Sequence, residues 1–211
     1  MTETQLAEAL GAFPTGNLCN AHPDVKAMGP ALAPLFKGIK ICGPAKTARV
    51  TPGQNAAIHR AVHMARPGEI LVVDGGGSCG FGPFGDILAT ACRLKGIGGL
   101  VIDSTIRDTA EIRQMGFPVF CRGANPTATA KSDPGEIDGE VCCAGVPVRP
   151  GDIIVADDDG VVVVPHDVAE EIAEKAAAVA RREQVILDRL AKGETTYQIF
   201  DLATHISSQD R

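Results

Sequence analysis

The pattern of apolar and polar positions divides the chain into three regimes. In the first, "TETQLAEALGAF" has the spacing of a short helix stopped by Gly11 and Pro14, with Thr2 as N-cap and Gln5 three residues on. "IKICGPAKTARV" alternates loosely and ends at "TPG", a strand followed by a turn. "NAAIHRAVHMA" carries apolar residues at helical spacing until Pro67-Gly68 ends it. The second regime, residues 68–123, alternates between elements. "EILVVDGGG", "GLVID" and "FPVFCRG" read as strands, and "GDILATACRLKG" and "DTAEIRQMG" as the helices between them, with Gly96 as a C-cap. This order predicts βαβ units and a parallel sheet layer. In the third, "GEVCCAGVPVRPGDIIVADDDGVVVVP" is β-rich, broken at Pro150-Gly151 and Asp159-Gly160, and expected to pair antiparallel. A long helix then runs from Asp167, its expected N-cap, to about Gly193, with acidic residues early and basic ones late, as the helix dipole favours. No repeat or low-complexity linker divides the chain, so one domain over residues 1–211 is expected.

Composition narrows the function classes. The chain has 211 residues, 45% hydrophobic and 22% charged, enough for a sizeable core. A net charge of −6, no Trp and the single Tyr197 argue against a nucleic-acid partner, which needs clustered cations and stacking aromatics. A small anionic substrate stays open, because a few local cations outweigh the global sign. The N-terminus lacks a basic region ahead of an apolar core, and no apolar run is long enough to span a bilayer, so a cytoplasmic protein is expected. Seven cysteines without CxxC spacing are expected as reduced, mostly buried thiols.

Two stretches concentrate candidate chemistry. In "GGGSCGFGPFGD", Gly80, Gly82 and Gly85 satisfy G-x-G-x-x-G, and Asp103 follows at the end of the next strand. A dinucleotide reading is disfavoured, because the residues from Gly75 to Cys79 separate the strand from the motif and Pro83 removes an amide inside it. A more general reading stands: Gly85, Asp86, Ile87 and Leu88 open a helix whose free amides can cradle a carboxylate. An ordinary N-cap by Asp86 explains the motif equally well. "GLVIDSTIRD" delivers Arg107 and Asp108 from the end of a strand. If that strand neighbours 70–74, both face the crevice at the carboxyl ends of the sheet. Spacing by itself slightly favours Asp108 as a helix cap beside a surface arginine. As ligands, such carboxylates suit Mg²⁺ or Mn²⁺ better than Zn²⁺.

Other motifs weigh less. His59 and His63 have the i, i+4 spacing of zinc ligands, but Arg60 stands where a catalytic glutamate would, and a solvated helix face is expected. "ADDDG" begins like a calcium loop, but "VVVVP" offers no further oxygen ligands, so a hairpin turn is expected.

"GDILATACRLKGIGGLVIDSTIRD" together with "PGDIIVADDDGVVVVP" resembles the RraA-like superfamily over roughly residues 40–190. Its enzymes include 4-hydroxy-4-methyl-2-oxoglutarate / 4-carboxy-4-hydroxy-2-oxoadipate aldolase. The resemblance implies an α/β/β sandwich of the swivelling β/β/α type with a long C-terminal helix, assembled as a trimer or hexamer with active sites at subunit interfaces. It places the pyruvyl carboxylate on the amides of Gly85, Asp86, Ile87 and Leu88, the carbonyl oxygen that becomes the enolate at Arg107, and a divalent metal on Asp108. Asp86, and Glu183 from a neighbouring subunit's long helix, would hold water at that metal. Lys131 is of a type seen in some aldolases. Regulators of ribonuclease in the superfamily lack the aspartate after the arginine, so Asp108 favours an enzyme.

The implied chemistry is class II retro-aldol cleavage of a 4-hydroxy-2-oxo acid to pyruvate and a second carbonyl compound, with Mg²⁺ or Mn²⁺ as cofactor. Oxaloacetate decarboxylation passes through the same enolate and is expected as a side activity. No lysine stands beside the cradle in sequence, which disfavours a Schiff base. The rival readings are a non-catalytic regulator binding a protein partner and, more weakly, a nicotinamide-dependent oxidoreductase.

Overall fold

The protein is described as a computed structural model covering residues 1–207. Its first helices are α1 (Glu3–Gly11) and α2 (Thr15–Ala21), followed by the two-residue strands β1 (Lys26–Ala27) and β2 (Ala33–Pro34). The expected capping box at Thr2 and Gln5 is present, so both ends of that hydrogen-bonded exchange are satisfied. Next come β3 (Ile41–Arg49), α3 (Ala56–Met64), β4 (Ile70–Ser78), α4 (Asp86–Lys95), β5 (Gly99–Ser104), α5 (Thr109–Met115) and β6 (Val119–Cys121). β4, β5 and β6 pair parallel, as the alternation predicts, and β3 joins them parallel to β4. Gly96 closes α4 in the left-handed conformation, with its amide on the Arg93 and Cys92 carbonyls.

The remainder is antiparallel. β7 (Glu136–Ile137) pairs with β3, β8 (Val141–Cys143) with β9 (Val146–Val148), and β10 (Ile153–Asp157) with β11 (Gly160–Val164). The hairpin expected for "ADDDG" forms, with its turn at Asp158-Asp159, one residue before the expected Asp159-Gly160, since Gly160 already pairs with Asp157. Its acids are structural ligands: Asp157 accepts from the Thr15 amide and hydroxyl at 2.9 and 2.7 Å, and Asp158 accepts from the Gly38 amide at 2.9 Å.

β3 holds the two halves together. Its first residues, Ile41 to Pro44, pair antiparallel with β10, and Ala45 to Arg49 pair parallel with β4. The sheet order is β1-β11-β10-β3-β4-β5-β6-β2. Both faces of its central strands are buried, which explains runs without polar alternation. On β4, Leu71 and Val73 pack with helices α3, α4 and α5, whereas Ile70 and Val72 face a second cluster with Ile154, Ala156, Val161 and Val163. The alternate residues of β10 and β11, Ile153, Val155, Val162 and Val164, face a third cluster with Leu6, Leu10, Leu18 and Ile172. Helices, sheet, sheet and helices thus stack in layers.

The long helix α6 (Ala169–Ala191) is followed by α7 (Thr196–Ile199) and α8 (Leu202–Ser207). Asp167 does not cap α6. It lies in a 3₁₀ turn, His166–Val168, and Val168 takes the cap position without a side-chain bond. No helix among the described residues is long and apolar enough to cross a membrane.

Candidate active site

The expected neighbours are neighbours: β4 and β5 align from Ile70 opposite Gly99 to Val73 opposite Ile102. Their carboxyl ends therefore open on the same side. The register shifts before Ser78 meets Ser104. At Gly75 a Cβ would lie 2.7 Å from Ser104 Cβ, so the glycine lets the bulged strand stay against β5. Two hydrogen bonds stitch the following loops together. Thr105 Oγ1 donates to the Phe81 carbonyl at 2.6 Å, and the Arg107 amide donates to the Phe84 carbonyl at 2.9 Å.

Gly85, not Asp86, is the N-cap of α4, and no side chain caps it. Asp86 Oδ1 instead accepts from the Ile87 amide at 2.7 Å, while the Asp86 amide donates to Asp108 Oδ2 at 3.3 Å. The amides of Gly85 and Leu88 have no acceptor among the described residues. This leaves free donors at the positive end of a helix, as a carboxylate requires.

Asp108 stands in the cap position of α5, but its side chain makes no capping bond, and its φ of 55° is in the left-handed region. That conformation costs energy for a residue with a Cβ, though Asp tolerates it better than most. Its carboxylate is turned back toward α4, with Arg107 Nε 3.4 Å from Oδ2 and both side chains about a third exposed. A Cβ on Gly85 would lie 2.3 Å from Asp108 Oδ2 and 3.1 Å from Arg107 Nε. The glycine therefore makes the space in which guanidinium, carboxylate and cradle meet.

Arg107 and the cradle border a cleft of about 210 Å³, lined also by Asn55, His59, Gly82 and Lys131, with Asp108 behind Gly85 and outside the lining. Lys131 arrives on a strap that the sequence pattern does not place. The Ala130 amide donates to Gly53 O at 2.8 Å, the Asn55 amide donates to Ala130 O at 3.1 Å, and Gln54 Oε1 accepts from the Ser132 amide at 3.0 Å. Asn55 Nδ2 donates to Pro83 O at 3.0 Å, leaving Oδ1 as a buried acceptor without a partner. His59 enters the cleft wall instead of lying on a solvated helix face, whereas His63 is exposed. Partial burial, then the Lys131 charge, hold the His59 imidazole below its ordinary pKa. His59, Asn55 and Lys131 join the site through tertiary contacts; the sequence marks His59 only by its spacing to His63 and Lys131 only by the family resemblance, and it does not mark Asn55.

The donor set suits a hard divalent cation. Asp108 offers carboxylate oxygen in the space Gly85 leaves, with Asp86 beside it, and Mg²⁺ commonly takes one or two carboxylates and keeps its waters. No cluster of three or more His, Cys, Asp or Glu that could hold a metal occurs among the described residues. Glu183 lies away from the cleft of its own chain, on α6, where Asn17 Nδ2 donates to it at 2.8 Å. Asp103, in the position of a ribose-binding acid, is buried and engaged by Arg122 and by the Ala144 amide at 3.1 Å.

A larger groove, about 560 Å³, lies near the start of β4 between Gly11, Cys42, Pro44 and Gly68. It adjoins the Arg66–Glu69 ion pair, 2.9 Å apart, and shares no lining residue with the cleft at α4.

The chain is similar to several known proteins. A Halalkalibacterium halodurans protein named "Putative 4-hydroxy-4-methyl-2-oxoglutarate aldolase" is 36% identical over 182 residues, covering 84% of this chain and 87% of its own. The crystal structure of Streptomyces coelicolor RraAS2, titled an unusual member of the RNase ES inhibitor RraA protein family, superposes with a TM-score of 0.80 at 32% identity, covering 87% of this chain and 96% of that one. RraA from Thermus thermophilis, titled an RNA-processing inhibitor, gives 0.67 at 30% identity over 72% of this chain and 92% of its own. The RraA-like family (Aldolase/RraA) matches residues 15–163, and the chain belongs to it.

Proposed function

We propose that the protein is a divalent-metal-dependent pyruvate aldolase, a class II carbon–carbon lyase that cleaves a 4-hydroxy-2-oxo acid and also decarboxylates oxaloacetate. One observation carries this reading: Arg107 and Asp108 are packed against the N-terminus of α4, where the Gly85 and Leu88 amides are free, in a space that only glycine at position 85 leaves. The substrate carboxylate would take the Gly85 and Leu88 amides. Arg107 would then meet the 2-oxo oxygen as a preorganised, charged donor where negative charge develops. Asp108 is the residue to hold Mg²⁺ or Mn²⁺, which when bound supplies Lewis-acid polarisation of that oxo group. Asp86 would orient water beside the enolate carbon for its protonation.

The active unit would be a homotrimer or a hexamer built from it. Ile87 and Leu94 are 73% and 80% exposed along the α4 face beside the cleft, and Val185 and Leu187 are exposed on the far half of α6. A second copy covering the α4 face with its long helix would bury both sets and bring its own Glu183 to the first copy's cleft.

The similarity to RraA proteins favours one rival, a regulator that binds a protein partner without catalysis. A coupled pyruvate assay with oxaloacetate and branched 4-hydroxy-2-oxo acids, with and without Mg²⁺, separates the two. The aldolase reading expects metal-dependent pyruvate, and a loss of about 10²–10³-fold in Arg107→Ala, the usual cost of one such donor. Absence of pyruvate from every substrate, or full activity in both Arg107→Ala and Asp108→Ala, sinks it.

A further inference from the structure

Resting on the aldolase reading, we propose that His59 is the general base that takes the proton from the substrate's 4-hydroxyl group. Retro-aldol cleavage moves two protons: one leaves the hydroxyl oxygen, and one reaches the enolate carbon. The groups at the Arg107 end of the cleft deal with the enolate and do not account for the hydroxyl. The cleft is small, about 210 Å³ against roughly 300–1,000 Å³ for common ligand pockets. An acid held at Arg107 and the α4 amides therefore extends toward Asn55, His59 and Lys131. Among these three, one group can accept and keep a proton. Asn55 Oδ1 accepts hydrogen bonds, but an amide is not a base, and the Lys131 ammonium offers only donors. His59 is half-buried in the wall, and the nearby Lys131 charge favours its neutral form.

In the step, a ring nitrogen of His59 takes the hydroxyl proton as the O–H electron pair becomes the new C4=O bond. The C3–C4 bond breaks, and its electrons form the enolate of pyruvate. Water then protonates C3, and the imidazolium returns its proton to solvent, so no net proton is consumed. Oxaloacetate carries no 4-hydroxyl group. Its decarboxylation needs no such base, and this separates the two activities.

The test measures both activities of the full-length protein with saturating Mg²⁺. His59→Gln is expected to lower retro-aldol kcat by about 10²–10⁴-fold, the usual range for a general base. Its oxaloacetate decarboxylation should fall by at least about tenfold less than the retro-aldol kcat. His59→Gly should regain retro-aldol activity in added imidazole, which a merely structural role would not give. Equal loss of both activities, no loss of either, or no imidazole rescue overturns the assignment. No pyruvate from either substrate in the parent protein overturns the aldolase reading itself, and the assignment with it.

Discussion

Gly85→Ala isolates the contact on which the proposed chemistry depends. The Gly85 backbone is extended, with φ −141° and ψ −171°, so alanine adopts it freely and the cost is steric. The new methyl would start 2.3 Å from Asp108 Oδ2 and 3.1 Å from Arg107 Cγ and Nε. Ordinary contact begins near 3.4 Å, so the carboxylate must retreat by about 1.1 Å. Misplacing a catalytic group by about 1 Å costs about 10²-fold, or about 2.7 kcal/mol of barrier. Stability should change less. Overpacking costs about 1–3 kcal/mol, the stiffer unfolded chain returns about 0.4–1, and a third-exposed Asp108 can swing outward. The assay is pyruvate release coupled to lactate dehydrogenase, with thermal unfolding in parallel. Gly80→Ala is the control, because nothing lies within 4 Å of a Cβ there. Should Gly85→Ala keep more than a third of parental kcat/KM, or Gly80→Ala lose as much, the packing argument is wrong.

Phe84 anchors the same loop, fully buried and stacked on Phe117 with ring centroids 6.2 Å apart. Phe84→Ala should lower unfolding free energy by about 3–5 kcal/mol in urea titration; a loss under 1 kcal/mol contradicts the packing. Burial pushes the Cys42 and Cys92 thiols up to about 12 and raises Cys121 and Cys143 as well, so below these raised values they stay protonated and weakly nucleophilic. At pH 8, Ellman's reagent should modify the exposed Cys79 and Cys142 first and the exposed Cys19 more slowly, because partial burial and then the Asp157 charge raise its pKa; rapid modification of Cys92 in the folded protein would refute this. Although Lys131 reaches the cleft, borohydride added with pyruvate should leave no covalent adduct by mass spectrometry, and an adduct on Lys131 would indicate a Schiff base instead.

Much of this architecture was legible because the signals are local. "ILVV", "GLVI" and "GVVVV" mark strands buried on both faces, and the βαβ alternation between residues 68 and 123 places β4 beside β5. That adjacency brings Arg107 and Asp108 to the α4 amides. Four features escaped because they depend on distant contacts or unusual turns. The β8–β9 hairpin turns at Ala144-Gly145, with Ala144 at φ 46°, where residue preference gives little warning. β3 serves both halves of the sheet, which a one-dimensional pattern cannot reveal. The strap carrying Lys131 is fixed by Gly53, Gln54 and Asn55 across a long sequence separation, and His59 gains its setting only from that docking. The Asp108 side chain also departs from the cap that its position suggests, because its carboxylate points to α4.

In the proposed reaction, Arg107 and Asp108 perform metal-dependent cleavage to pyruvate. Its most direct measurement is a Mg²⁺ titration of pyruvate release from 4-hydroxy-4-methyl-2-oxoglutarate, comparing the parent protein with Asp108→Asn. Release is expected to saturate with Mg²⁺, vanish in EDTA, and fall at least about 10²-fold in the variant. Release that persists undiminished in EDTA, or is equal in Asp108→Asn, would contradict it.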